Sequence, residues 1–268
     1  MSLQGTSLEQ IYQRPLLNSC QAYFSIGSFI AAILGSLLAA YNISPQLHFS
    51  IIALITDLII LFSARFLLPP VSIGKTRLQQ AAKGTLAFHL SPALLLLGLL
   101  AFCTLFSVGA MFDWSVLYLS SIVHAGAGVA ASGFALFSLS MALGRSFGDY
   151  LTTRIGSPRL ILLASLTAAA GLSLALAIAW TPIVLFGLTL IGLGLSVLSP
   201  LALSAAGRIA NENRENTLVA ITTWGYSGVF VGPPTIGFIA DHLGLRLALV
   251  LVVLLCLVAA LCSRYEPA

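Results

Sequence analysis

The chain has 268 residues, of which 59% are hydrophobic and 7% charged, with a mean hydropathy of +1.03. Soluble domains are about 45–50% apolar, so this composition excludes an ordinary soluble enzyme and describes a polytopic membrane protein, with apolar runs near 20 residues recurring throughout. The net charge of +4 does not point to nucleic acid, because the basic residues are spread one to three per segment and share no face.

Residues Met1 to Leu17 are polar and lack the apolar core of a signal peptide, so no cleaved leader is expected there. The first span is expected from Asn18 to Tyr41, with Gly27, Ala31 and Gly35 on one face at i, i+4 spacing for close helix packing. An uncharged turn, Asn42 to His48, leads to a second span from Phe49 to Leu68, which Pro69-Pro70 ends. Residues 71–90 carry Lys75, Arg77 and Lys83 and form a polar connector long enough to link two helical bundles. The expected domains are therefore residues 1–70, holding two helices of one bundle and a preceding loop, the linker 71–90, and a six-helix bundle over 91–268.

The third span is expected over Pro92–Leu119, the fourth over Ala125–Arg145, the fifth over Arg159–Trp180 and the sixth over Ile183–Ala206. The seventh follows over Thr217–Ala240 and the eighth over Leu245–Leu261. Between the fourth and fifth, residues Gly144 to Arg159 concentrate Arg145, Asp149, Arg154 and Arg159, with Gly144, Gly148 and Gly156. This reads as a water-exposed cytoplasmic hinge, or gating loop. Cys20, Cys103, Cys256 and Cys262 lie in or beside apolar segments without CxxC spacing, so they read as small buried hydrophobes.

Lysine and arginine set the orientation. With a cytoplasmic N-terminus, eleven of the twelve basic residues fall on the inner side and only Arg246 falls outside. Both termini are then cytoplasmic and the number of spans is even, which eight satisfies.

Several residues are candidates for transport chemistry. Asp57 lies within the second span, where an ionised carboxylate in lipid costs roughly 2.5–3.5 kcal/mol on insertion scales, so it should face protein or water. It is either a coupling or ligand-contacting acid or a hydrogen-bonded structural one. Asp113, Trp114 and Tyr118 on the third span either grip a polar solute, the rings stacking and the carboxylate accepting, or form an interfacial aromatic group beside a helix-end acid. Gln21 and Tyr23 on the first span, with Thr223, Trp224 and Tyr226 on the seventh, either line a cavity or hydrogen-bond between helices. Gly232-Pro233-Pro234 breaks the seventh span and should kink it. No metal site is expected, and HExxH, GxSxG, Walker and GxGxxG signatures are missing, so neither an enzyme nor a cofactor is implied.

The stretch Gly144-Arg-Ser-Phe-Gly-Asp149, followed by Arg154, Gly156 and Arg159, resembles the loop signature of the major facilitator superfamily, where it joins the second and third helices of each six-helix half. Tyr150 stands where that family usually has a basic residue. Leu8 to Pro15 with Tyr23 to Gly27, Gly109 to Tyr118, and Gly225 to Pro234 with Gly237 and Asp241 are similar to the fifth, seventh and eleventh helices of its bacterial sugar-type members. A shift of 201 residues aligns Tyr23 with Trp224, Gly27 with Gly228, Phe29 with Phe230 and Ala31 with Gly232.

The resemblance implies an all-α membrane protein whose eight helices correspond to helices five to twelve of a twelve-helix fold. It implies a secondary transporter, resident in the plasma (bacterial inner) membrane, that moves a small solute by alternating access, with proton coupling as one option. The alternative is a truncated, transport-inactive remnant with a structural or interaction role. Membrane lipid is the expected surrounding. Self-association through the side left open by missing helices is expected of the isolated chain.

Overall fold

The structure, a computed structural model, describes residues 17–40, 43–66, 92–209 and 214–263. The connector at 71–90, Pro69-Pro70 and the segment from Leu8 to Pro15 lie outside these residues. Among the described residues the regular structure is helical. The helices are α1 (Leu17–Ala40), α2 (Pro45–Ser63, extended by a 3-10 turn, Ala64–Phe66), α3 (Pro92–Ser121), α4 (Ala127–Ile155), α5 (Ser157–Ala177), α6 (Thr181–Ile209), α7 (Arg214–Leu243), α8 (Leu245–Ala248) and α9 (Val250–Cys262). Helices α8 and α9 together make one span, Leu245–Cys262.

Six of these segments are long and apolar enough to cross a membrane by composition alone. Helices α1 and α7, with 24 and 30 residues, have the length, since about 20 suffice. In α7 the apolar character is diluted by Thr222, Thr223, Ser227, Thr235 and the glycines and prolines around them. Many hydroxyls within the spans are satisfied by their own helix, although those of Ser115, Ser138 and Ser165 are buried with no hydrogen-bond partner. Thr104 donates to the Leu100 carbonyl at 2.7 Å, Ser107 to Cys103 at 2.7 Å and Thr223 to Val219 at 2.8 Å, which lets polar side chains sit in a bilayer without a partner helix.

Two expected turns are absorbed into helix. Pro45 is not in a turn. It opens α2, where its missing N–H costs nothing, and the Ser44 hydroxyl caps the helix by accepting from the Leu47 N–H at 3.4 Å. The supposed hinge from Gly144 to Arg159 is likewise a continuation of α4 by ten residues beyond Arg145, and the connection to α5 is the single residue Gly156 at φ 82°. Only a residue tolerating positive φ makes so abrupt a reversal, and Pro158 then starts α5.

Helices α3 to α9 form one bundle. The main pairings are α3 with α7, α5 with α6, α4 with α6, and α9 with α5 and α3. Its core includes Leu100, Met111, Phe137, Ile161, Ile191 and Leu198, all essentially inaccessible. Phe112 links α3 to α4 by edge-on contacts with Phe134 and Phe137.

Close approaches fix the relative directions. From Gly98 to Gly109 along α3, the partners on α7 advance from Trp224 to Val229, so these two helices run parallel. On α5 and α6, Gly171 meets Gly187 and Ala164 meets Gly194, so that pair is antiparallel. Consecutive long helices therefore alternate in direction, as a chain threading a membrane must.

Helix α1 packs against α4, joining the segment before the 71–90 connector to the bundle after it. The membrane-length window of α2, by contrast, has no buried residue.

Candidate transport pathway

The structure separates the three candidates on α3. Asp113 is exposed, whereas Tyr118 is 3% exposed and its hydroxyl donates to the Ala175 carbonyl of α5 at 3.0 Å. Trp114 is half-buried, its indole N–H donating to the Pro233 carbonyl of α7 at 3.2 Å. In this conformation Tyr118 and Trp114 are engaged between helices, and of the three Asp113 alone presents its polar group at the surface.

On α7, Thr223, Tyr226 and Phe230 are exposed at i, i+3 and i+7, one face of the helix. Tyr226 lies one turn below Phe230, which is 77% exposed. Trp224 points elsewhere, its ring lying over Gly98 of α3, where a Cβ would collide with it. Tyr23 of α1 is 72% exposed; Gln21 lies in the first turns of α1, where the backbone and not the side chain is described. Asp57 lies at mid-length of α2 and is exposed.

The charged stretch of α4 is built into the bundle. Arg145 is buried, and its Nε donates to the Ser196 carbonyl of α6 at 3.4 Å. Gly144 abuts Ser196, and Gly148 leaves room for Val197, so the two helices touch without intervening side chains on α4. Asp149 is half-buried one turn beyond Arg145. Arg154 stacks over the Tyr150 ring with 5.4 Å to its centroid, and Arg159 is exposed at the start of α5. The expectation of a uniformly solvated hinge is thus corrected at Arg145, whose guanidinium finds a carbonyl inside the bundle.

A shallow groove of about 450 Å³ lies beside this stretch, lined by Leu143, Gly144, Phe147, Tyr150, Leu151 and Leu193. Its walls are apolar. Among the described residues no group of three or more His, Cys, Asp or Glu side chains is placed to hold a metal ion.

Two contributors were not singled out by sequence reasoning. Arg246 donates from Nε to the Leu176 carbonyl at 2.6 Å and from Nη2 to the Ala177 carbonyl at 2.8 Å. Its signal was available: it is the lone basic residue on the side otherwise free of them. Ser196 gave none, being one small hydroxyl residue in an apolar run.

The family model of the Major Facilitator Superfamily matches residues 13–233 and, in a second match, 116–267. The chain belongs to this superfamily of transporters. It is 29% identical over 267 residues to an uncharacterised MFS-type transporter of Yersinia pestis, covering 98% of this chain and 67% of that protein. It is 35% identical over 172 residues to the membrane protein MosC of Rhizobium meliloti, covering 64% of this chain and 42% of MosC. Among solved structures, the transporter FucP in its outward conformation is similar with a TM-score of 0.69 at 21% identity, covering 94% of this chain and 68% of FucP. A variant of FucP described as the E. coli fucose:proton symporter aligns with a TM-score of 0.65. At such identity this is a likeness of fold. The chain spans about two thirds of the length of the Yersinia relative and of FucP, and less than half of MosC. It is an integral membrane protein of this transporter superfamily.

Proposed function

We propose that this protein works in secondary active transport of a small solute by alternating access between two helical bundles, in the plasma (bacterial inner) membrane with both termini cytoplasmic. The observation that carries the reading is the packing of α1 on α4. It joins helices from either side of the 71–90 connector, the kind of interface that bundles rocking about a central site must rearrange. The domains are then 1–70, 71–90 and 91–268 as drawn from the sequence, and the Gly144–Arg159 stretch lies on the inner side. Asp57, Asp113, Thr223 and Tyr226 remain the candidate polar contacts, and Asp57 or Asp113 is the candidate for proton coupling. That option is supported by the fucose:proton symport ascribed to the FucP neighbour.

A second reading is that the 268-residue chain has a structural or partner-binding role and no transport of its own. The exposed Asp57 on a helix with no buried residue in its membrane-length window favours it, because a carboxylate facing lipid is unfavourable until protein or water covers it. Reconstitution in liposomes with an imposed pH gradient and a panel of small sugars and other polar solutes separates the two. Saturable, gradient-dependent uptake by the chain supports transport. No uptake of any solute, from liposomes in which the chain is inserted and folded, supports the second reading.

A further inference from the structure

Pro200 lies inside α6 and has no N–H, so the carbonyl of Ser196, four residues earlier, has lost the amide that would regularly donate to it. Ser196 is fully buried. Its own hydroxyl is committed elsewhere, donating to the Leu193 carbonyl at 2.6 Å. A carbonyl stranded in this way within a bilayer is costly, because no water reaches it. Helix α4 meets α6 at this turn. A Cβ on Gly144 would stand 2.9 Å from the Ser196 Cβ and 3.2 Å from the Leu193 carbonyl oxygen, and one on Gly148 would stand 3.0 Å from Val197 Cγ1. Two glycines one turn apart thus bring the backbones together. Arg145 sits between them and is buried. Its Nε donates to the Ser196 carbonyl at 3.4 Å, and since Nε is the guanidinium nitrogen nearest the backbone, only a close approach of the two helices lets it reach. The bond is long, but its donor is charged and its surroundings are dry.

We propose that Arg145 is the positioning residue for the proline break of α6: from α4 it supplies the donor that Pro200 removes, and it thereby holds the turn Ser196–Pro200 against α4. The segment beyond the break does not hang on this bond, because Leu201, Ala202, Ala205 and Ala206 are buried in the core. What the bond fixes is the turn itself. An arginine deep in one span is then explained by a proline in the neighbouring one. The assignment concerns how the bundle is held and stands apart from the transport reading.

Arg145 and Pro200 should then be coupled, and a double-mutant cycle on the full chain in detergent reads the coupling. Arg145→Met keeps the stem as far as the Nε position and removes the donor. It should lower the melting temperature by about 3–10 °C, the shift expected for one hydrogen bond from a charged donor in a chain of this size. Pro200→Ala returns an amide to the Ser196 carbonyl, and in that background Arg145→Met should cost less than half as much. Every other contact of Arg145 is common to both backgrounds, so a packing or purely electrostatic role would give the same loss in each. Hydrogen exchange locates the effect: amides of residues 197–203 should quicken about three- to tenfold in Arg145→Met, while those of α9 keep their rates. If Arg145→Met alone does not accumulate as folded protein, its recovery by added Pro200→Ala supports the assignment. Equal losses in the two backgrounds, no loss in either, acceleration spread evenly over the bundle, misfolding of Pro200→Ala by itself, or no recovery of an unfolded Arg145→Met by Pro200→Ala would overturn it.

Discussion

Arg246 reaches from α8 to the Leu176 carbonyl at 2.6 Å, at the end of α5 where helical carbonyls have no amide left to accept from. It takes the Ala177 carbonyl as well, and Tyr118 of α3 takes that of Ala175. Three successive carbonyls of one helix end are thus capped by two other helices, which ties the ends of α3, α5 and α8 together.

Replacing Arg246 by Ala should therefore destabilise the protein by about 1–3 kcal/mol, the scale of hydrogen bonds from a charged donor. Tyr118→Phe, which removes one neutral bond and keeps the packing, should cost about 1 kcal/mol. Thermal unfolding in detergent reads both. Arg246→Lys should fall between Ala and wild type, because a single ammonium does not reproduce the two-pronged geometry. Equal melting of all three variants and the wild type would show that water caps this helix end as well as Arg246 does.

Glycine substitutions should divide by location. At Gly187 a Cβ would stand 2.5 Å from the Gly171 carbonyl oxygen and 2.8 Å from the Ala175 Cβ, and backbone cannot yield as a side chain can. Gly187→Val should then separate α5 from α6 and cost upwards of about 3 kcal/mol, the top of the range for overpacking. At Gly128 nothing lies within 4 Å, and Gly128→Ala in the first turns of α4 should be neutral or stabilising by up to about 1 kcal/mol through helix propensity. Folded yield and melting temperature check the pair.

How far the sequence disclosed this can be judged at particular residues. Apolar runs place spans to within a few residues: the expected starts at Arg159 and Ile183 compare with helices that begin at Ser157 and Thr181. Hydrophobicity measures transfer to lipid, and that is what a span requires. It does not measure where charge stops a helix, so the Arg145–Arg159 stretch, polar by composition, reads as a loop although its helix continues to Ile155. The same blindness applies to partners. Trp114 and Tyr118 advertised aromatic chemistry, but which backbone carbonyl each would find on α7 or α5 depends on helix packing, which no local pattern encodes. Gly232-Pro233-Pro234 was legible as a break because proline acts on its own helix.

Orientation rests on charge and has a direct check. Ser121 ends α3 and Thr153 lies in the last turn of α4, and both are exposed. In a cysteine-free background, Ser121→Cys should react with an impermeant maleimide on intact cells, whereas Thr153→Cys should react only after permeabilisation. The reverse pattern would invert the topology and place most lysines and arginines outside, against the positive-inside rule.

Asp149 is the residue through which α4 can sense α1. It is half-buried on the last third of α4, the helix on which α1 packs, and Leu17 is the first described residue of α1, whose N-terminal end the sequence places there. A carboxylate near such an end gains about 0.3–2 kcal/mol, enough to shift a balance between two conformations a few kcal/mol apart. If it helps hold the inner side closed, Asp149→Asn should raise the inward-open population and slow turnover while membrane insertion stays normal. Cysteines placed along the inner halves of α4 and α6 should then label faster from the cytoplasmic side in the Asn variant than in the parent. Identical labelling in the two would show that the α1–α4 contact is held by packing alone, with no contribution from the charge.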